Sequence, residues 1–174
     1  MGWMKSLDKL NGWEVACEFS VGGFLDMGFS EFESGKLLCI SSQYAAVIDC
    51  ETGEKARCEC EYDECNKTAV CDLLPDETIK LCSVWSGGKR LESRQGESVR
   101  IISTEESVKG KIIQKDQVMF RTGNREVCIY DSYSIYSCTF CVRGDYFALA
   151  CDGGVTVLKR RKEKKKGFWG LCRS

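Results

Sequence analysis

The stretch GKLLCISSQYAAVID, residues 35–49, returns without a gap as GDYFALACDGGVTVL, residues 144–158. In each copy a turn glycine precedes an apolar run, a turn of small residues and a second run rich in β-branched residues. This pattern is typical of a β-hairpin, and its return indicates two hairpins of one design. Residues 146–150 are apolar at every position, which predicts a strand that is covered on both faces.

Short runs of apolar and β-branched residues, which are typical of strands, flank both copies and dominate the chain after residue 22. About eleven short strands are predicted, at residues 24–29, 36–41, 45–50, 78–85, 98–103, 111–114, 118–121, 127–130, 135–142, 146–151 and 155–159. Residues 5–19 leave two alternatives, a helix or a strand over 13–19. The predicted fold is mainly β: an antiparallel meander arranged as a partial propeller or as a two-layer stack of sheets.

Length and charge predict one domain with a distinct C-terminal segment. The chain has 174 residues and a net charge of −1, which suits a single β-rich domain over residues 1–158. Residues 159–174 contain eight Lys/Arg and one Glu, a net charge of +7, so the first 158 residues carry −8. We expect residues 159–174 to form a basic, flexible tail.

Absent residue types narrow the functional classes. The chain has no histidine, which removes the commonest general base and every mixed Cys/His zinc site. No cysteine lies in a recognisable nucleophile motif, and we expect no enzymatic activity. The N-terminus has no secretory signal pattern, and thirteen cysteines without such a signal predict reduced thiols in a cytoplasmic protein.

Two sets of residues are candidates for a ligand other than protein. Four thiols in an acidic stretch have spacings that could close around Zn²⁺, which is the one cofactor the sequence suggests: Cys58, Cys60, Cys65 and Cys71. The alternative for these thiols is a role as small surface or core side chains. In the tail, the residues suited to an anionic surface, such as nucleic acid or lipid headgroups, are Lys162, Lys164, Lys165, Lys166 and Trp169. The alternative for the tail is a solvated extension.

The strongest charge signal lies between Asp49 and Glu77, where ten carboxylates accompany three cations. Such a surface attracts basic partners and orients their approach. The predicted partner-binding residues are Glu59, Glu61, Asp63, Glu64 and Asp72.

Two resemblances accompany these patterns. Residues 29–30, 35–42, 47–49 and 52–55 resemble a β-propeller blade phrase with the rhythm of WD-repeat proteins, although Trp-Asp and Gly-His signatures are absent. The chain has length for about three to four blades, which argues against a closed ring. The WD-repeat resemblance implies a propeller-like scaffold.

Residues 13–55 also resemble a group of small bacterial proteins. The shared phrase comprises Trp13, residues 17–20, 22–24, 28–30 and 41–43, and residues 49–55. This resemblance implies an immunity protein of a polymorphic toxin system. Together with the acidic surface, it suggests a basic toxin domain as the partner. Three hypotheses therefore stand: an immunity protein acting through its acidic surface, an intracellular scaffold, and a zinc- or nucleic-acid-associated protein. The sequence does not select an oligomeric state.

Overall fold

A computed structural model of the chain describes residues 4–83 and 88–162. Its elements in that range are one short 3₁₀ helix (Leu7–Lys9) and fifteen strands: β1 (Trp13–Phe19), β2 (Phe24–Phe29), β3 (Lys36–Ser41), β4 (Ala45–Asp49), β5 (Lys55–Cys58), β6 (Cys60–Asp63), β7 (Thr68–Cys71), β8 (Leu74–Lys80), β9 (Cys82–Ser83), β10 (Ser98–Val108), β11 (Lys111–Thr122), β12 (Arg125–Tyr133), β13 (Ile135–Phe140), β14 (Tyr146–Cys151) and β15 (Gly154–Arg160). The described residues contain no helix with the length and apolar character required to cross a membrane.

The mainly-β, antiparallel prediction is confirmed. The predicted number of about eleven strands is too low, because β5, β6 and β7 have only four residues each and fall outside the predicted strands. Such strands lack the apolar runs on which the prediction depended. The strand alternative for residues 13–19 is the one observed, as β1.

The strands form four antiparallel sheets, which we number in the order in which they pack. Sheet I is β6-β7-β8, sheet II is β5-β4-β3-β2-β9, sheet III is β1-β15-β14-β13, and sheet IV is β10-β11-β12. One apolar cluster joins sheets I and II, a second joins sheets II and III, and a third joins sheets III and IV. Neighbouring clusters are thus separated by a single sheet.

The two copies of the sequence repeat form β3–β4 in sheet II and β14–β15 in sheet III, and they face each other. Leu37 and its counterpart Tyr146 lie in the same cluster, as do Cys39 and its counterpart Ala148. The alternate positions point away from this shared cluster, since Leu38 contributes to the cluster with sheet I and Phe147 to the cluster with sheet IV.

This packing distinguishes between the two predicted architectures, the partial propeller and the two-layer stack of sheets. Consecutive propeller blades place opposite faces against each other, because they are related by rotation about a central axis. Here equivalent faces of the two copies meet, as expected when two hairpins are related by an approximate two-fold axis. The two-layer alternative therefore describes the centre of the molecule, with sheets I and IV added on the outside.

The side chains of β14 explain why sheet III is buried on both faces. All six residues of β14 are buried, and they alternate between the second and third clusters. Burial of each large side chain contributes about 1.5–3 kcal/mol. The prediction that residues 146–150 are covered on both faces is confirmed.

The last strand continues beyond the predicted start of the basic tail. β15 runs to Arg160, and in the register with β1 Lys159 pairs with Glu14 and Arg160 with Trp13. Lys159 also forms an ion pair with Glu51 at 2.8 Å. β15 therefore ends two residues beyond the predicted start of the tail, and Lys159 and Arg160 have specific partners within the sheet stack.

Candidate partner-binding surface

The predicted partner-binding carboxylates lie on the β6–β7 hairpin at the outside of sheet I. In the antiparallel register Cys60 is opposite Cys71, Glu61 opposite Val70, and Asp63 opposite Thr68. Successive side chains of a strand point to opposite faces. Glu61 and Asp63 therefore share the outward face, while Cys60 and Tyr62 point toward the cluster between sheets I and II.

Glu59 and Asp72 extend the same outward face by one rung. The backbone N–H of Asp72 donates to the carbonyl oxygen of Glu59 at 3.2 Å, and the backbone N–H of Glu59 donates to Asp72 Oδ1 at 3.0 Å. We call Glu59, Glu61, Asp63 and Asp72 the acidic ladder. All four are exposed, as is Glu64 in the following turn, so the structure brings together all five predicted partner-binding residues.

Two members of the acidic ladder also stabilise the hairpin. Asp63 accepts hydrogen bonds from the backbone N–H of Asn66 at 2.9 Å and from its side-chain Nδ2 at 2.7 Å. These bonds, the backbone one foremost, lower the pKa of the Asp63 carboxyl. Asp72 holds the opposite end of the hairpin through the bond from Glu59. Glu59, Glu61 and Glu64 are therefore the better positions for testing charge without disturbing the turn.

The nearby cations are directed elsewhere. Lys67 Nζ donates to the Tyr62 hydroxyl at 2.9 Å and lies 3.6 Å from Asp26 Oδ2, on the inward side of the hairpin. Arg57 stacks on the Tyr44 ring, 4.4 Å from its centroid. Among residues 4–83 and 88–162, no ion pair involves the acidic ladder.

The charges of the acidic ladder consequently repel one another. Alternate residues of a strand lie about 6.6 Å apart, and two like charges at that distance repel weakly even in bulk water. A cationic partner removes this repulsion and adds attraction. The arrangement suits binding of a basic surface.

Three other carboxylates of the acidic stretch have structural partners. Asp49 pairs with Lys36 at 2.8 Å, and Glu51 accepts a hydrogen bond from the Tyr146 hydroxyl at 2.6 Å in addition to its bond with Lys159. Glu77 is buried and accepts from the Ser30 hydroxyl at 2.5 Å. These residues connect sheets and loops, so the stretch between Asp49 and Glu77 divides into a structural set and an exposed set.

The hairpin is anchored by a buried carboxylate that sequence reasoning missed. Asp26 of β2 is 1% exposed and accepts a hydrogen bond from the Tyr62 hydroxyl. Burial, followed by this bond to Asp26, raises the pKa of Tyr62. A sequence signal existed, since Asp26 is the one charged residue inside an otherwise apolar strand. Its partner is 36 residues away, which no local pattern indicates.

The four cysteines predicted as a zinc site do not converge. Cys65 is exposed in the turn between β6 and β7. At least three strand residues separate it from the level of the Cys60–Cys71 pair, which corresponds to about 10 Å along the strand. Among the described residues, no three or more cysteines and carboxylates are arranged so that they could hold a metal ion. The hairpin register places Cys65 apart from Cys60 and Cys71, so the structure does not bring the four predicted thiols together.

Most of the predicted anionic-surface set lies outside the described residues, namely Lys164, Lys165, Lys166 and Trp169. Lys162 is described and exposed. It lines a cavity of about 730 Å³ together with Lys159, Arg160 and Arg161. Arg160 and Arg161 have carboxylate partners, Glu97 and Glu14, so these cations are already paired.

Comparison with known proteins returned no match to a family model, to a curated protein or to a solved structure.

Proposed function

We propose that this protein is a non-catalytic protein-binding module whose acidic ladder binds a basic partner. The observation that carries the proposal is the pairing of β6 with β7, continued at Glu59 and Asp72, which places four carboxylates on one exposed face. None of the four forms an ion pair with another described residue. A basic partner is favoured because charge complementarity speeds association and orients the encounter.

The most concrete form of this proposal is an immunity protein that covers the basic active site of a toxin domain in the cytoplasm. That form rests on the resemblance of residues 13–55 to small bacterial proteins, and the acidic ladder supplies a surface of suitable charge. An intracellular scaffold would use the same surface for a partner without toxic activity. Coexpression of this chain with its partner distinguishes an immunity protein from a scaffold. Only an immunity protein restores the growth of cells that produce a toxic partner.

The proposal is tested by reversing charge at two positions of the acidic ladder that have no role in the turn. The partner is first recovered with the tagged chain and purified. Its affinity is then measured by calorimetry for the wild-type chain and for Glu59→Lys/Glu61→Lys. We expect the variant to bind at least about tenfold more weakly, because one lost charge–charge contact of 1.4 kcal/mol corresponds to that factor.

Glu105→Lys/Glu106→Lys is the matched control, since it changes the net charge equally at two exposed residues of β10. We expect its affinity to remain within about twofold of wild type. Equal weakening by both variants would indicate a response to net charge alone. Unchanged affinity of the Glu59/Glu61 variant would exclude the acidic ladder as the interface.

A further inference from the structure

The inward face of the β6–β7 hairpin brings cysteines together. Cys60 and Cys71 are directly opposite each other in the register. The neighbouring rung, Glu59 and Asp72, carries the backbone hydrogen bond from Asp72 to Glu59. Because hydrogen-bonded and non-hydrogen-bonded rungs alternate in antiparallel pairs, Cys60 and Cys71 form a non-hydrogen-bonded rung.

Such a rung suits a disulfide. Its Cα atoms typically lie about 4.5 Å apart and its side chains are closer than in the hydrogen-bonded type. A disulfide requires Cα atoms about 4.4–6.8 Å apart. Residues directly opposite also point to the same face of the sheet, so both thiols lie on the side that faces sheet II.

Cys58 provides a third thiol at the same place. It is the last residue of β5, paired with Ala45 of β4. Its side chain packs against the cluster that contains Cys71, close enough for the two thiols to interact. Cys71 is buried, whereas Cys58 and Cys60 are half-buried and line an open cavity of about 530 Å³. A small oxidant can therefore reach the two outer thiols, and Cys71 is within reach of both.

We propose that Cys71 is the shared partner of a reversible thiol–disulfide site and forms a disulfide with Cys60 or Cys58. The bond to Cys60 closes the hairpin on itself, and the bond to Cys58 joins the edge strand of sheet II to sheet I. This chemistry is independent of any partner of the acidic ladder.

The oxidant required is a low-molecular-weight disulfide such as oxidised glutathione. The thiolate of Cys60 or Cys58 attacks one sulfur of glutathione disulfide, which forms a mixed disulfide and releases one glutathione thiolate. The thiolate of Cys71 then attacks the protein sulfur of that mixed disulfide and releases the second glutathione. The two protons lost by the protein thiols end on the two glutathione molecules, so two thiols are oxidised as one disulfide is reduced.

The reaction is expected to be slow at neutral pH. Burial raises the pKa of Cys58 to about 12, and burial also raises the pKa of Cys60. The thiolate is the attacking species, so the initial rate is expected to rise about tenfold per pH unit between about pH 7 and 9.

The experiment exposes the full, reduced chain to oxidised glutathione, blocks the remaining thiols, and maps linked peptides by mass spectrometry. We expect Cys71 to be linked to Cys60 or Cys58 and the thermal midpoint of the oxidised chain to rise by about 5 °C. Cys58→Ser and Cys60→Ser should each retain one disulfide at Cys71. Cys71→Ala should remove both.

Cys65→Ser is the matched control, because Cys65 is exposed in the turn of the same hairpin and should leave the disulfide of Cys71 unchanged. The wild-type peptide map decides the question even where Cys71→Ala folds poorly. The proposal is overturned if Cys71 stays reduced, if it carries glutathione alone, or if it is linked to a cysteine other than Cys58 and Cys60.

Discussion

Arg160 shows how one residue connects the end of the last strand to a distant loop. Its guanidinium donates two hydrogen bonds of 2.7 Å to the two carboxylate oxygens of Glu97, and it lies 4.8 Å from the ring centroid of Trp13. Glu97 is 6% exposed. Burial alone would raise the pKa of Glu97, but the bonds from Arg160 and Ser93 outweigh burial and lower it.

At this residue scale, Arg160→Ala should lower the free energy of unfolding by about 3–5 kcal/mol at pH 7, because it leaves a buried carboxylate without its partner. In the wild type a lowered pKa means that the contribution of Glu97 is present above its unfolded-state pKa and is lost as pH falls through the folded-state pKa. In the variant the carboxyl is free to protonate. The difference in free energy of unfolding between the wild type and the variant should therefore shrink from pH 7 to about pH 4. Urea unfolding at each pH measures this difference.

Arg100→Ala is the control for this prediction. Arg100 pairs with Glu126 at 2.8 Å, but 60% of its side chain is exposed, so its removal should lower the free energy of unfolding far less than removal of Arg160 does. A loss at Arg160 as small as that at Arg100, or a difference independent of pH, would contradict the stabilising role of the Glu97 pair.

Gly28 determines how closely β8 of sheet I can pack against β2 of sheet II. It lies inside β2, and a Cβ atom at its position would be 2.3 Å from the carbonyl oxygen of Lys80 and 2.8 Å from Ile79 Cγ2. Both contacts belong to β8. A glycine inside a strand often marks such a close approach of another backbone.

At the scale of this element, Gly28→Ala should destabilise the protein by about 1–3 kcal/mol or more, because the added methyl group forces β8 away from β2. Gly22→Ala is the matched control, since a Cβ there meets no atom within 4 Å. Thermal melts of both variants measure the effect. Equal midpoints for Gly28→Ala and the wild type would show that β8 is not held against β2 at this point.

The whole molecule is held together at its centre by sheet III, which joins β1 near the N-terminus to β13, β14 and β15. β1 pairs with β15 along its length, from Trp13 and Arg160 to Phe19 and Val155. The two ends of the described chain therefore meet in one sheet. A truncation that reaches into β15 removes part of that connection.

Two truncations test this arrangement at the scale of the whole molecule. A chain ending at residue 158 loses the pairs of Lys159 and Arg160 with β1 and the bonds to Glu51 and Glu97. A chain ending at residue 162 retains them. We expect the shorter chain to be less stable by at least about 3 kcal/mol, largely through the buried pair, as measured by urea unfolding. Equal stability of the two chains would mean that the end of β15 contributes nothing.

The mainly-β class and the two central hairpins could be predicted from the sequence because their signals are local. The repeat at residues 35–49 and 144–158 and the double-sided apolar pattern at 146–150 predicted β3–β4 and β14–β15, and the turn glycines Gly35 and Gly144 both have positive φ. The strands that the prediction missed, β5–β7, have four residues each, which is too short for a clear apolar pattern.

The sequence predicted which residues form the candidate surface. Which other carboxylates and cysteines are paired was decided by contacts between residues far apart in the chain. The exposed positions Glu59, Glu61 and Asp63 follow from the period of one strand. By contrast, the tertiary structure decided that Glu77 is buried against Ser30 and that Cys71 meets Cys58 and Cys60 while Cys65 does not.

The sequence by itself therefore determined the β class, the repeated hairpins and the location of excess negative charge, since alternation and turn chemistry act over a few residues. Only the tertiary structure decided which charges are paired, where the last strand ends and how the two repeats face each other. Those outcomes depend on strand register and sheet packing, which bring together residues such as Glu97 and Arg160, 63 positions apart.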